Sequence, residues 1–219
     1  MMHREIHQLF PTHVGIYNRS DVSDHGKIND LLVEAEKEKL TQIENLDDKS
    51  LVDFIQTDTG FDNILPIKLL NFVKDCVYDF SKSINYGVQY DSLYIADCWG
   101  NYSKGNVTTH TPHIHSNSVF SAVYYVEAPR GSGSLYFMHP NMQVNSLEPD
   151  PTVMGSANSS EFAIDPSEGQ CVVFKSNTIH GTSANMIKYG HRSNIAFTFN
   201  IKDLGKRSLM SHYERNYDK

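Results

Sequence analysis

The chain has 219 residues, 39% hydrophobic and 21% charged, with 12 Tyr and 11 Phe, an ordinary soluble composition whose aromatics argue against disorder. Nineteen Lys+Arg against 26 Asp+Glu leave a net charge of −7, a poor footprint for general nucleic-acid binding, though a small basic pocket remains compatible with it. No apolar run approaches the ~20 residues of a membrane span, and the start lacks a signal-like apolar stretch, so a soluble cytoplasmic protein is expected.

Cys76, Cys98 and Cys171 are isolated and odd in number. They read as reduced buried thiols rather than a zinc ribbon or a disulfide framework.

The first third reads as helices. Ser23-Asp24 is placed to cap a helix from about 27 to 45, and the charge run from Glu34 to Lys39 reads as its solvated face. A second helix is predicted after a cap at Asp62 or Asn63, with Pro66 in its first turn. Leu69, Leu70, Phe72, Val73, Cys76, Val77 and Phe80 recur at helical spacing and should pack on a sheet.

From about Val88 the period changes to two. Strands are predicted at about 89–99, 107–109, 119–126, 134–138, 161–164, 170–174 and 193–201, with a turn at 129–133. Short strands in succession without intervening helices imply a barrel or sandwich. The segment 140–160 is long and rich in Asn, Pro, Ser and Gly, a composition that suits a substrate lid or a mobile excursion.

Four of the 11 histidines fall among these strands: His110, His113, His115 and His180. On a strand, residues two apart share a face, so His113 and His115 can aim at one point. His180 follows an apolar strand and precedes Gly181, where a turn is expected. It is the best third ligand. His110 is a spare, either a neighbour of the ligands or an exposed loop residue. His139 reads as a turn residue.

On the last predicted strand, Arg192, Asn194, Ala196, Thr198 and Asn200 share one face, and Ser193, Ile195, Phe197, Phe199 and Ile201 the other. The second face should pack on the helices. The first carries an arginine that, if inward, needs an anionic partner. A guanidinium fork near a metal suits a carboxylate. On 119–126, Ser121, Val123 and Tyr125 fall together, and parity places Tyr125 with the His pair.

The ordered set is specific: His113-x-His115, then Ser121 to Val126, Gly133 to Phe137, Gly169 to Phe174, His180 and Arg192. It resembles the Fe(II)/2-oxoglutarate-dependent oxygenase superfamily. It is similar in particular to a bacterial and phage branch that shares its pattern with the prolyl hydroxylases. Leu9-Phe10-Pro11-Thr12 and Trp99-x-Asn101 look like that branch too.

The resemblance implies one domain over 1–219: a mostly helical support (1–86), a double-stranded β-helix or jelly-roll core (87–203) and a tail (204–219). It implies Fe(II) on His113, His115 and His180. Arg192 would take the distal carboxylate of 2-oxoglutarate, with Tyr125, Asn194 and Ser121 beside it. The implied reaction is hydroxylation of a peptide or small molecule, with O2 consumed and succinate and CO2 released. His115 stands where the superfamily usually has Asp or Glu, so a three-histidine iron site is expected. Asn194 stands where Ser or Thr is common. A three-histidine cupin-type dioxygenase or isomerase without 2-oxoglutarate, or a non-catalytic jelly-roll module, are the competing readings. A homodimer through exposed strand edges is compatible with the fold.

Overall fold

The computed structural model describes residues 11–43, 54–105, 107–140, 152–153, 155, 158–202 and 204. Among them lie β1 (Val14–Asn18), α1 (His25–Ile43), β2 (Phe54–Gln56), α2 (Ile67–Ser83), β3 (Leu93–Lys104), β4 (Thr108–His113), β5 (Phe120–Glu127), β6 (Leu135–Met138), β7 (Glu161–Ile164), β8 (Gln170–Lys175), β9 (His180–Asn185) and β10 (His191–Ile201). They form two antiparallel sheets, ordered β1-β8-β5-β10-β3-β2 and β4-β9-β6-β7. This is a jelly roll with helices on one side. No described helix is long and apolar enough to cross a membrane.

Alternation along β10 sets the layers. Ile195, Phe197 and Phe199 are fully buried and join Ile28, Leu32, Leu69, Val73, Val77 and Phe80 of the two helices in the main core. Phe120, Ala122, Tyr124 and Val126 of β5 add to it from the same side. The opposite face of β5 and β8 packs with Leu135, Phe137 and Ile164 in a smaller cluster between the sheets. The predicted stripe of α2 is thus the one that covers the large sheet. The three thiols are free and buried.

Several expectations need correction. Asp24 stands just before α1 and its carbonyl accepts from the Ile28 N–H at 3.0 Å, but its carboxylate is held by Arg19 at 2.7 and 2.9 Å and makes no side-chain cap bond among the described residues. The Ser23 hydroxyl donates to Asp21 at 2.6 Å. The helix starts at His25 rather than Lys27, and its last described residue is Ile43. Glu36, read as part of a solvated face, is buried and pairs with Lys104 at 2.7 Å. Asp62 and Asn63 lie in a separate 3-10 turn (Phe61–Ile64), and Pro66 itself stands at the cap of α2.

Within the mostly helical 1–86 region, two strands join the large sheet: β1 pairs with β8 and β2 with β3. The strand expected from about 89 begins at Leu93, after a 3-10 turn at Tyr90–Ser92. Gly181 lies in β9 rather than a turn. There its missing side chain lets the strands close, because a Cβ would meet the Tyr136 hydroxyl at 2.6 Å and the His110 carbonyl at 2.7 Å. Most of 140–160, Leu9-Phe10 and most of the 204–219 tail fall outside the described residues.

Candidate metal centre

His113 ends β4 and lies opposite His180 on β9, which is in turn opposite Phe137 on β6. His115 does not continue the strand. It sits just beyond it, tied by its backbone N–H to the Ser176 carbonyl at 2.9 Å. The rings still converge, though not through the pleat expected from their spacing. The Nε2 atoms of His113 and His115 are 3.2 Å apart. One ring nitrogen from each of His113, His115 and His180 lies within 4.8 Å of the others.

Two of the rings have a fixed tautomer. His113 Nδ1 donates to the Thr111 carbonyl at 2.8 Å, and His180 Nδ1 to the Thr178 carbonyl at 2.9 Å. Each bond leaves the Nε2 lone pair pointing into the cluster. Burial pushes the His180 imidazole down to about 3, against the help of its Thr178 bond and aided by the neighbouring rings. Burial and then His113 and His110 bring His115 down to about 4. Both are therefore neutral near pH 7, the form that binds metal. Lone pairs converging at these distances repel unless a cation lies between them, so the donor set fits a divalent transition metal.

His110 is not an exposed loop residue. It lies on β4, its ring 4.3 Å from that of His113 and 5.5 Å from that of Phe54, and burial lowers it to about 4. Phe54, on a three-residue edge strand, and Thr182, on the unforeseen β9, also line this cavity. Neither segment has enough residues or alternation to signal a strand by itself. Trp99 and Asn101 line it as well; the sequence marked them only as a shared motif.

The face of β10 expected to point inward does so: Arg192, Asn194 and Ala196 line the cavity with Val123 and Tyr125 of β5. Arg192 is 2% exposed, and its Nη1 donates to the Ser132 carbonyl at 2.8 Å. Its Nε has no partner, and no carboxylate pairs with it among the described residues. Burial lowers its pKa, and Tyr125 opposes that shift. The Tyr125 phenol is pushed up to about 12 by burial, with Arg192 pulling the other way, so it stays a neutral donor. A buried cation without an anion fits a dianionic cosubstrate.

Asn194 lines the same wall and accepts from Asn101 Nδ2 at 2.9 Å. Ser121 shares the face of Tyr125, but its hydroxyl bonds Ser176 at 2.9 Å and it does not line the cavity. A larger open hollow of about 570 Å³, bordered by Asp62, Lys74, Asp91 and Lys202, lies elsewhere and holds no such imidazole cluster.

Residues 97–200 match the model of a family described as putative 2OG-Fe(II) oxygenase. No curated protein matches. Among solved structures, the non-heme alpha ketoglutarate dependent carbocyclase SnoK from nogalamycin biosynthesis aligns at 12% identity over 90% of this chain and 87% of its own, with a TM-score of 0.55. A Pseudomonas putida prolyl-4-hydroxylase aligns at 14% identity over 87% and 94%, TM-score 0.52. A 2OG-Fe(II) oxygenase family oxidoreductase from Burkholderia pseudomallei aligns at 14% identity, over 62% of this chain and only 57% of its own, TM-score 0.43. The fold likeness rests on the first two. Residues 97–200 are thus similar to the 2OG-Fe(II) oxygenase family, and the fold of the chain is that of solved proteins described as such oxygenases.

Proposed function

We propose that this protein hydroxylates a peptide or small molecule, with His113, His115 and His180 holding Fe(II) and Arg192 taking the distal carboxylate of 2-oxoglutarate. The observation that carries this reading is a buried, acid-free guanidinium in the same cavity as three converging imidazoles. In the overall reaction 2-oxoglutarate, O2 and a C–H group give succinate, CO2 and an alcohol.

Bound Fe(II) supplies the redox chemistry that couples O2 reduction to oxidation of the 2-oxo acid. The chain's own groups do the rest. Arg192 supplies charge and a planar fork to the carboxylate. Tyr125, held neutral, donates its O–H to the same group. Asn194, aligned by Asn101, completes the polar wall. His113 and His180 keep Nε2 unprotonated by giving the Nδ1 proton to backbone carbonyls. Val123, Leu135 and Ala196 keep the cavity apolar between these groups and limit water entry.

Three neutral ligands in place of two histidines and a carboxylate leave the full metal charge facing the dianion. That strengthens cosubstrate attraction and offsets the missing acid. The two aligned relatives are named as a carbocyclase and a prolyl hydroxylase, so substrate does not travel with the fold.

The test is anaerobic titration of 2-oxoglutarate into the Fe(II)-loaded protein. A visible charge-transfer band is expected, lost in His180→Ala, and O2 should then release succinate. Iron binding without the band would sink the cosubstrate assignment, and no iron binding would sink the ligand assignment.

A further inference from the structure

The three clustered histidines are not held alike. In His113 and His180 the Nδ1 proton goes to a carbonyl two residues earlier in the chain, at 2.8 and 2.9 Å. Such a bond fixes both tautomer and ring plane. His115 has none: its Nδ1 is buried without a partner. It also lies past the end of β4, two residues before Asn117, which adopts a left-handed φ of 63°. The pleat therefore does not aim its ring. The bond from its backbone N–H to Ser176 anchors the main chain but leaves both side-chain torsions free.

The indole of Trp99 supplies the missing restraint. Its ring centroid lies 5.2 Å from that of His115, with 33° between the planes. The other ring neighbours of His115 are His113 and His180, at 5.2 and 5.0 Å, members of the same cluster. Among the described residues, Trp99 is thus the ring neighbour from outside it. Trp99 is carried by β3 opposite Ala196 of β10, and the next pair on that face is Asn101 opposite Asn194. The strand that carries the indole is backed by β10, itself paired on its other side with β5, and the residue across from Trp99 is the small Ala196.

We propose that Trp99 is the positioning residue for His115, its tilted indole packed against this ring and doing for it what the carbonyl bonds do for the other two. The inference rests on the reading of the three histidines as metal ligands. A flat apolar surface restricts rotation of the imidazole without competing for its nitrogens. It therefore keeps Nε2 directed at the Nε2 of His113. The device suits a ligand that stands outside regular structure, where no carbonyl is held at the right place.

Co(II), titrated into the metal-free protein and followed by its visible absorption, reads the site without turnover. Trp99→Leu and Trp99→Met are compared with Trp99→Phe, each alongside its melting temperature. Trp99 is only partly buried, so these variants should fold. Loss of an orienting contact to a metal-bound histidine typically weakens affinity by roughly 10–100-fold. The aliphatic and thioether variants should show a loss of that order and an altered Co(II) spectrum, with Trp99→Phe recovering most of both. Wild-type affinity in Trp99→Leu, or an equal loss in Trp99→Phe, would overturn the inference while leaving the ligand reading intact. A wild-type protein that binds no Co(II) would overturn the ligand reading itself, and this inference with it.

Discussion

The two faces of β10 differ in how completely they satisfy themselves. Toward the helices, Ile195, Phe197 and Phe199 are wholly enclosed by apolar neighbours. Toward the cavity, Arg192 Nε is buried and unpaired, as are atoms of three other cavity-lining residues: Asn101 Oδ1, His115 Nδ1 and Thr182 Oγ1. Leaving aside Glu36 Oε1, which meets Lys104, four of the five other buried atoms without a partner among the described residues therefore share one cavity. One face is finished by the chain; the other is arranged for something the chain does not provide. Orphaned groups persist where function uses them.

The contrast breaks most visibly under mutation of each face. Phe197→Ala, in the finished face, should cost about 3–5 kcal/mol of stability, the usual range for emptying a buried aromatic site. Arg192→Met, in the open face, should not lower the melting temperature of the ligand-free protein, because it removes an unpaired buried charge. The same change should weaken 2-oxoglutarate binding by about 2–5 kcal/mol, the range for losing one partner of a buried charge pair. Chemical denaturation of both variants, with calorimetric titration of 2-oxoglutarate, measures the three quantities together. A large stability loss in Arg192→Met would mean that the guanidinium already has its partner within the chain.

Acid should act on the open face as well. Burial holds His180 down to about 3 and His110 and His115 to about 4, whereas each titrates near its ordinary value of 6.5 once unfolded. Between those limits the unfolded chain binds protons that the folded one refuses, so stability falls as pH falls. The metal-free protein should keep its full melting temperature above about pH 6.5 and lose it progressively toward pH 4. A His180→Ala variant should show a shallower decline. An equal slope in the variant would remove His180 from the account.

Much of this was legible in the sequence for a physical reason. Parity in long strands is a strong signal, so the faces of 193–201 and 119–126, and the helical stripe of α2, could be read directly. What escaped depended on tertiary context. Phe54 sits on a strand of three residues, too short to show alternation. His115 joins the cluster from a loop, so the His-x-His spacing led to the right convergence through the wrong geometry. Glu36 looks solvated within its charge run, yet Lys104 on β3 draws it inward. Ser121 lies on the right face, but the Ser176 hydroxyl claims it.

Gly181 is the sharpest case, because local chemistry favours a turn after His180 and packing imposes a strand. The glycine needs no unusual backbone angle; it is not among the residues with positive φ. Its role is clearance. A methyl group there would press on the Tyr136 hydroxyl on one side and the His110 carbonyl on the other. The phenol can swing away, but the carbonyl belongs to β4, the strand that carries His113. Gly181→Ala should therefore cost about 1–3 kcal/mol, as overpacking does. Relief must come by moving β4 away from β9, so the variant should also lose Co(II) affinity. Tyr136→Phe in the same background removes the hydroxyl but leaves both the ring carbon Cζ at 2.8 Å and the carbonyl. It should recover part of the stability and little of the metal affinity, and full recovery of both would show that the phenol alone had been in the way.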